Sequence, residues 1–220
     1  MTEIQLAIID KKTNRLLLDT EHADLAGALA ESLDMLPIEH GCARPVQILH
    51  PNPEYDQPLP HIRISGFWHD SLIEGPGRRS VVRMQGCPIR CTGCWVPQTH
   101  AMDGGYNVNI DWLAEALLDP AYERDGVTIL GGEPFAQPLA LFTLSTALWE
   151  RGCNNVCVYT GYTIEALRHR VQIDKPNGEY IHAVLGSIQF LIDGRFIASQ
   201  ASTAGPWTGS GNQRVIILNV

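Results

Sequence analysis

The chain is 220 residues long, 45% hydrophobic and 18% charged, which fits a folded domain with a sizeable core and excludes a disordered one. With 24 acidic against 16 basic residues its formal charge is −8, which argues against nucleic acid or an anionic membrane as the main partner. No apolar run approaches the ~18 residues of a membrane span, and the N-terminal MTEIQLAIIDKK has no basic region ahead of its short apolar run. The expectation is a cytoplasmic protein whose thiols stay reduced, so clustered cysteines point to a metal or to catalysis rather than to disulfides.

In chain order, Gln5 to Ile9 and Arg15 to Asp19 flank the polar turn KKTN and predict a hairpin. Leu25, Leu29, Leu33 and Leu36 recur at helical spacing and predict an amphipathic helix, and Val46 to Leu49 a third strand. Residues 1–50 are therefore expected to form a small ββαβ-like module. The prolines of PNPEYDQPLP make residues 51–61 a linker, since proline cannot sit inside regular structure.

From residue 62 to 220 the pattern alternates. Strands are expected at Ser80–Gln85, Val127–Leu130 and Asn155–Tyr159, with one or two more in Ala183–Ile192 and a last one at Arg214–Asn219. Helices are expected at Asp111–Leu118, Ala136–Arg151 and Thr163–Val171. Alternating strands and helices imply an α/β fold with a parallel sheet and right-handed crossovers. GGEP and TGYT each follow a strand, and in such folds sites gather at the carboxyl ends of the strands.

The strand at Ser80–Gln85 runs into GCPIRCTGCW, where Cys87, Cys91 and Cys94 are spaced C-x3-C-x2-C. A structural zinc site takes four ligands, and an ordinary [4Fe–4S] cluster takes four cysteines. Three cysteines around a cluster leave one iron open, and an open position is where a ligand can bind and react. Taken alone, the triplet also admits a zinc site completed by His100 or by a distant cysteine, or inert thiols.

C-x3-C-x2-C on a loop after the first core strand resembles the radical S-adenosylmethionine superfamily. The resemblance implies that Cys87, Cys91 and Cys94 hold a [4Fe–4S] cluster and that the open iron binds the methionine part of S-adenosylmethionine. An electron from the cluster then cleaves the cofactor to a 5′-deoxyadenosyl radical. Gly131, Gly132 and Glu133 resemble the family's GGE motif, where glycines give close approach and the carboxylate holds the cofactor's ammonium. By themselves they equally suit a strand-to-helix turn.

Further motifs narrow the likeness. IEGPGRRSVVRMQGCPIRC, VYTGYT, LIDGRF and GSGNQRVI come in the order seen in activating proteins of anaerobic ribonucleotide reductase and related glycyl-radical activases. The resemblance spans about residues 62–220 and implies a partial (β/α) barrel of the radical S-adenosylmethionine type with a small N-terminal α+β extension. It further implies that Thr160 and Gly161 line the cofactor cleft and that Trp95 is one of its walls. The implied partners are a glycyl-radical enzyme and an electron donor such as flavodoxin or ferredoxin. A partial barrel leaves one side open, so the site is expected to face solvent.

This chain departs from the activases at Val96, where they carry asparagine, and in residues 1–60, which the minimal activases lack. Those residues suit either a stabilising addition or a docking module. Two other functions remain open: radical chemistry on a small molecule or peptide, marked by a polar substrate pocket, and a non-catalytic zinc- or cluster-stabilised interaction protein. Cys153 and Cys157 are read as packing residues, Trp68 and Trp207 as walls or core, and Asn212 and Arg214 as either contacts to a ligand or an ordering of the last loop.

Overall fold

Arg79 begins the strand that leads to the cysteines, and its side chain is fully buried. This strand, β4 (Arg79–Met84), belongs to a computed structural model that describes residues 60–219 and, before them, the backbone of β1 (Ile8–Asp10) and β2 (Arg15–Leu17). β1 and β2 pair antiparallel, as expected of the hairpin. The helix and third strand expected between residues 22 and 49 lie outside the described residues, as do the linker residues 51–59 and Cys42. The chain divides into two compact units, Met1–Leu59 and Pro60–Val220.

The second unit is an open seven-stranded sheet in the order β5-β3-β4-β6-β7-β8-β9. β4, β6 (Gly126–Gly131), β7 (Val156–Tyr159) and β8 (Phe190–Asp193) run parallel. Two strands run against them, β3 (His61–Ser71) and β9 (Arg214–Ile217), while β5 (Tyr106–Asn109) pairs antiparallel with β3 at the edge. The fold is mixed α/β, but the sheet is not a closed barrel and is not wholly parallel. β3 and β5 escape sequence reading because β3 carries Gly66 and two register shifts against β4, which break its apolar alternation.

Helix α1 (Ile110–Leu117) starts where the Asn109 side chain accepts the Trp112 N–H at 3.0 Å, and it buries Ile110, Leu113, Ala114 and Leu117 at helical spacing. Helix α2 (Pro138–Glu150) opens on proline, whose missing N–H costs nothing in the first turn. Helix α3 (Ile164–Ile173) is capped by Thr163, whose hydroxyl accepts the Ala166 N–H at 3.2 Å. Residues 183–187, expected to be strand, are the end of helix α4 (Asn177–Ser187), and only Phe190–Asp193 is strand.

Because β4, β6, β7 and β8 follow one another in sheet order, right-handed crossovers put the helices on one face. There they pack in the row α1-α2-α4-α3 over Val82, Ile129, Val158 and other core residues with no exposure. Each such fully buried aliphatic side chain contributes roughly 1.5–3 kcal/mol over exposure. The helix-free face is free to line a site. Among the described residues, no helix is long and apolar enough to cross a membrane.

Candidate functional site

The cysteines hang from the end of β4 on a loop whose base is closed by hydrogen bonds. Gly86 N–H donates to Thr99 O at 2.9 Å, and the Gln85 side-chain amide donates to Gln98 O at 3.1 Å and Ala101 O at 2.7 Å. Gly86 turns the chain at φ +87°, a conformation that favours glycine. On the far side, Arg195 donates to Ile89 O at 2.7 Å, and Trp95 packs on Phe196 with ring centres 5.1 Å apart. The LIDGRF segment therefore buttresses the cysteine loop.

The end of β6 locks onto the same loop. Gly132 N–H donates to Met84 O at 2.9 Å and Glu133 N–H to Gly86 O at 2.8 Å. A Cβ on Gly132 would lie 2.5 Å from Gly86 O, and one on Gly131 would lie 2.3 Å from Arg83 Cγ. The sequence suggested that these glycines let the chain approach a ligand. Their missing side chains also leave room for the cysteine loop's backbone and for the stem of Arg83, because two backbones cross here without space for a methyl group.

Glu133 is buried, with three donors on its carboxylate. Phe135 N–H and the Thr160 hydroxyl donate to Oε1, each at 2.9 Å, and Gly161 N–H donates to Oε2 at 2.8 Å. Burial nevertheless pushes its pKa from 4.5 up to about 7, since desolvation outweighs those bonds. This arrangement ties GGEP to TGYT. Thr160 and Gly161 use their polar groups to hold Glu133, a relation that no motif spacing announces.

All nine residues singled out from the sequence line one cavity of about 510 Å³: Cys87, Cys91, Cys94, Trp95, Gly131, Gly132, Glu133, Thr160 and Gly161. The cavity opens to solvent on the side of Trp95, which is 70% exposed. Trp68, Trp207 and His100 join its wall, whereas His61 and His69 lie outside it. Cys153 and Cys157 also lie elsewhere, and Cys157 is a buried thiol pushed up to about 12 by desolvation. Asn212 and Arg214 order the last loop: Asn212 donates to Arg195 O at 2.8 Å, and Arg214 pairs with Asp193 and Glu165. Sequence reading missed Ile73, Glu74, Arg83, Tyr159 and Gln213 as wall residues.

The donor set suits an iron–sulfur cluster. All three thiols are free. Burial raises the Cys87 pKa against the pull of the Arg90 and Ile89 N–H groups, and Val96 N–H donates to Cys94 Sγ at 3.4 Å. Such N–H contacts to sulfur stabilise thiolate ligands of a cluster. His100 Nε2 is buried in the wall without a hydrogen-bond partner. Among the described residues, no three His, Cys, Asp or Glu side chains group as ligands of a single metal ion. A lone zinc would need them to converge, whereas thiolates on separate irons stand wider apart.

Comparison with known proteins agrees with this donor set. Residues 73–216 match the family model for the 4Fe-4S single cluster domain. The chain is 30% identical over 154 residues to the anaerobic ribonucleoside-triphosphate reductase-activating protein of Haemophilus influenzae, covering 67% of this chain and 92% of that protein. The protein of the same name from Vibrio cholerae is 30% identical over 153 residues, covering 67% and 92%. The pyruvate formate-lyase-activating enzyme of Clostridium pasteurianum is 36% identical over 104 residues, covering 46% of this chain and 44% of that enzyme.

Proposed function

We infer the mechanism from one premise: the chain belongs to the 4Fe-4S single cluster domain family and is a radical S-adenosylmethionine enzyme of the glycyl-radical activase type. Its cofactors are a [4Fe–4S] cluster and S-adenosylmethionine. Cys87, Cys91 and Cys94 would each bond one iron and leave the fourth for the cofactor. When bound and reduced, the cluster would supply the electron that cleaves S-adenosylmethionine to methionine and a 5′-deoxyadenosyl radical, and that radical would take a hydrogen atom from a glycine of the partner enzyme. That partner is an anaerobic ribonucleotide reductase or a relative, and a flavodoxin or ferredoxin supplies the electron. Residues 1–50 are the candidate docking module for that partner.

Glu133 would hold the cofactor's ammonium from a fixed position, because Phe135, Thr160 and Gly161 fix both of its oxygens. An ammonium beside it would return the carboxylate to its charged form. Trp95 and Phe196 supply an apolar rim at the open side of the cavity, which a docked partner would cover. The observation that carries this reading is the meeting of the three cysteines, Glu133, Thr160 and Gly161 in one open cavity. A second reading, radical chemistry on a small molecule or peptide, is favoured by Glu74 and Arg83, which give the cavity wall a polar patch.

The test is anaerobic. The full chain is loaded with iron and sulfide, reduced and given S-adenosylmethionine, and 5′-deoxyadenosine is measured. The wild type is expected to cleave the cofactor and Cys91→Ala to lose at least about 100-fold in rate, as when an essential catalytic element is removed. A chain that takes up zinc and builds no cluster would sink the reading.

A further inference from the structure

Arg83 lines the cavity but contributes nothing to its scaffold. It lies on β4, the strand that delivers the cysteines, four residues before Cys87. Among the described residues none of its five N–H donors has an acceptor, and its buried Nε stands without a partner. Its guanidinium carbon lies 4.8 Å from the centre of the Trp68 ring, a stacking contact that steadies a cation without using its hydrogen bonds. Gly131 leaves the room that its stem occupies. A buried donor without a partner is costly, so a site that keeps one is suited to a ligand that supplies the acceptor.

Glu74 lines the same cavity and interacts electrostatically with Arg83, but the two form no ion pair within 4.0 Å. Its oxygen is engaged by the Ser71 hydroxyl instead. Glu74 comes from the loop 72–78, whose Leu72 and Ile73 are 63% and 75% exposed. The Arg83 site is therefore bounded on one side by a loop that meets solvent. Glu133, the carboxylate suited to the cofactor's ammonium, belongs to the β6 end of the cavity.

We propose that Arg83, stacked on Trp68 and flanked by Glu74, binds a carboxylate of the molecule that gives up the hydrogen atom, so that the cleft selects an acidic target. The planar fork of arginine matches a carboxylate through two parallel hydrogen bonds. The carboxylate belongs either to an acidic residue beside the reacting glycine of a polypeptide or to a free small acid. This proposal rests on the activase reading, which defines the cavity as the site of hydrogen abstraction.

The test uses the full chain, cluster-loaded and saturated with S-adenosylmethionine. Binding is measured for a glycine-centred peptide carrying one aspartate, for its asparagine counterpart, for N-acetylglycine and for N-acetylglycinamide. Wild type is expected to bind a charged probe about tenfold or more tighter than its uncharged twin. R83Q should erase that preference, R83K should keep part of it, and E74Q should strengthen it. A preference confined to the peptides assigns a polypeptide target, and one confined to N-acetylglycine assigns a small acid. Cluster content and circular dichroism establish that each variant is folded, and R83K keeps the charge and stem should R83Q fail.

Equal binding of both twins by wild type would overturn the proposal. So would a loss of S-adenosylmethionine affinity in R83Q as large as the loss for the charged probe, because Arg83 would then serve the cofactor. Failure of the underlying activase reading shows separately, as absence of cysteine-dependent cofactor cleavage by wild type.

Discussion

Arg79 and Arg83 stand four residues apart on β4, on the same face of one strand, in opposite surroundings. Arg79 is fully buried at the closed end of the sheet, and its donors reach Thr128 Oγ1, Pro76 O, Asn155 Oδ1, Val127 O and Asn155 O at 2.7–3.1 Å. Arg83 is half-buried at the open end and donates to nothing among the described residues. The first is a structural plug: it joins β4, β6 and the segment before β7, and Gly126 lacks a side chain where a Cβ would sit 2.5 Å from its Nη1. The second is a poised binding group. One residue type at one spacing yields stability where the loops close over it and recognition where they do not.

The largest expected effect breaks the closed end. Arg79→Met keeps the apolar stem but removes the donors from several buried acceptors, which outweighs the relief of no longer burying a charge. The loss is expected to be about 3 kcal/mol or more in urea unfolding at neutral pH. A loss below about 1 kcal/mol would show that the network is dispensable.

The next effect sharpens the contrast at the open end, where Glu133 is strained by burial. Its folded pKa of about 7 exceeds the unfolded 4.5, so the folded chain holds the extra proton between those values. Without cofactor, this group costs nothing below pH 4.5, and its cost grows as pH rises toward 7. The total reaches up to about 3 kcal/mol. Urea titrations of the cofactor-free chain should show that falling limb, and Glu133→Gln should flatten it. A limb of equal slope in the variant would assign it to another group.

How much of this could be read from the sequence follows the same division. The cysteines, Glu133, Thr160 and Gly161 were legible because each belongs to a short motif just after a strand, where topology gathers such residues. Arg83 and Glu74 were not, and Trp68 was legible only as a wall or core residue, because they come from β4, the irregular β3 and the loop between them, and no motif records their meeting. The parallel strands β4, β6 and β7 announced themselves as buried apolar runs. The antiparallel β3 and β5 did not. Ala183–Ile192 was misread because a short apolar run does not show whether it is helix or strand until its packing partners are known. The GGE glycines answer two demands at once, because space for a ligand and space for a neighbouring backbone call for the same residue.

The smallest expected effect is the most telling about the pair. Arg83→Met preserves the stem over Gly131 and forfeits the stacking on Trp68, worth about 0.5–1 kcal/mol, together with a weak attraction to Glu74, which it does not contact as an ion pair. It also removes a half-buried cation with no hydrogen bond to lose, which offsets part of that cost. The stability of the cofactor-free chain should therefore change by less than about 1 kcal/mol, against about 3 kcal/mol for the same substitution at Arg79. Urea unfolding of both variants and the wild type under one condition gives the difference directly. Equal losses would mean that Arg83 is a second plug, and the open end would have to be reinterpreted as structure. A near-neutral Arg83→Met beside a crippled Arg79→Met would mean that β4 carries one arginine for the fold and holds the other free for a ligand.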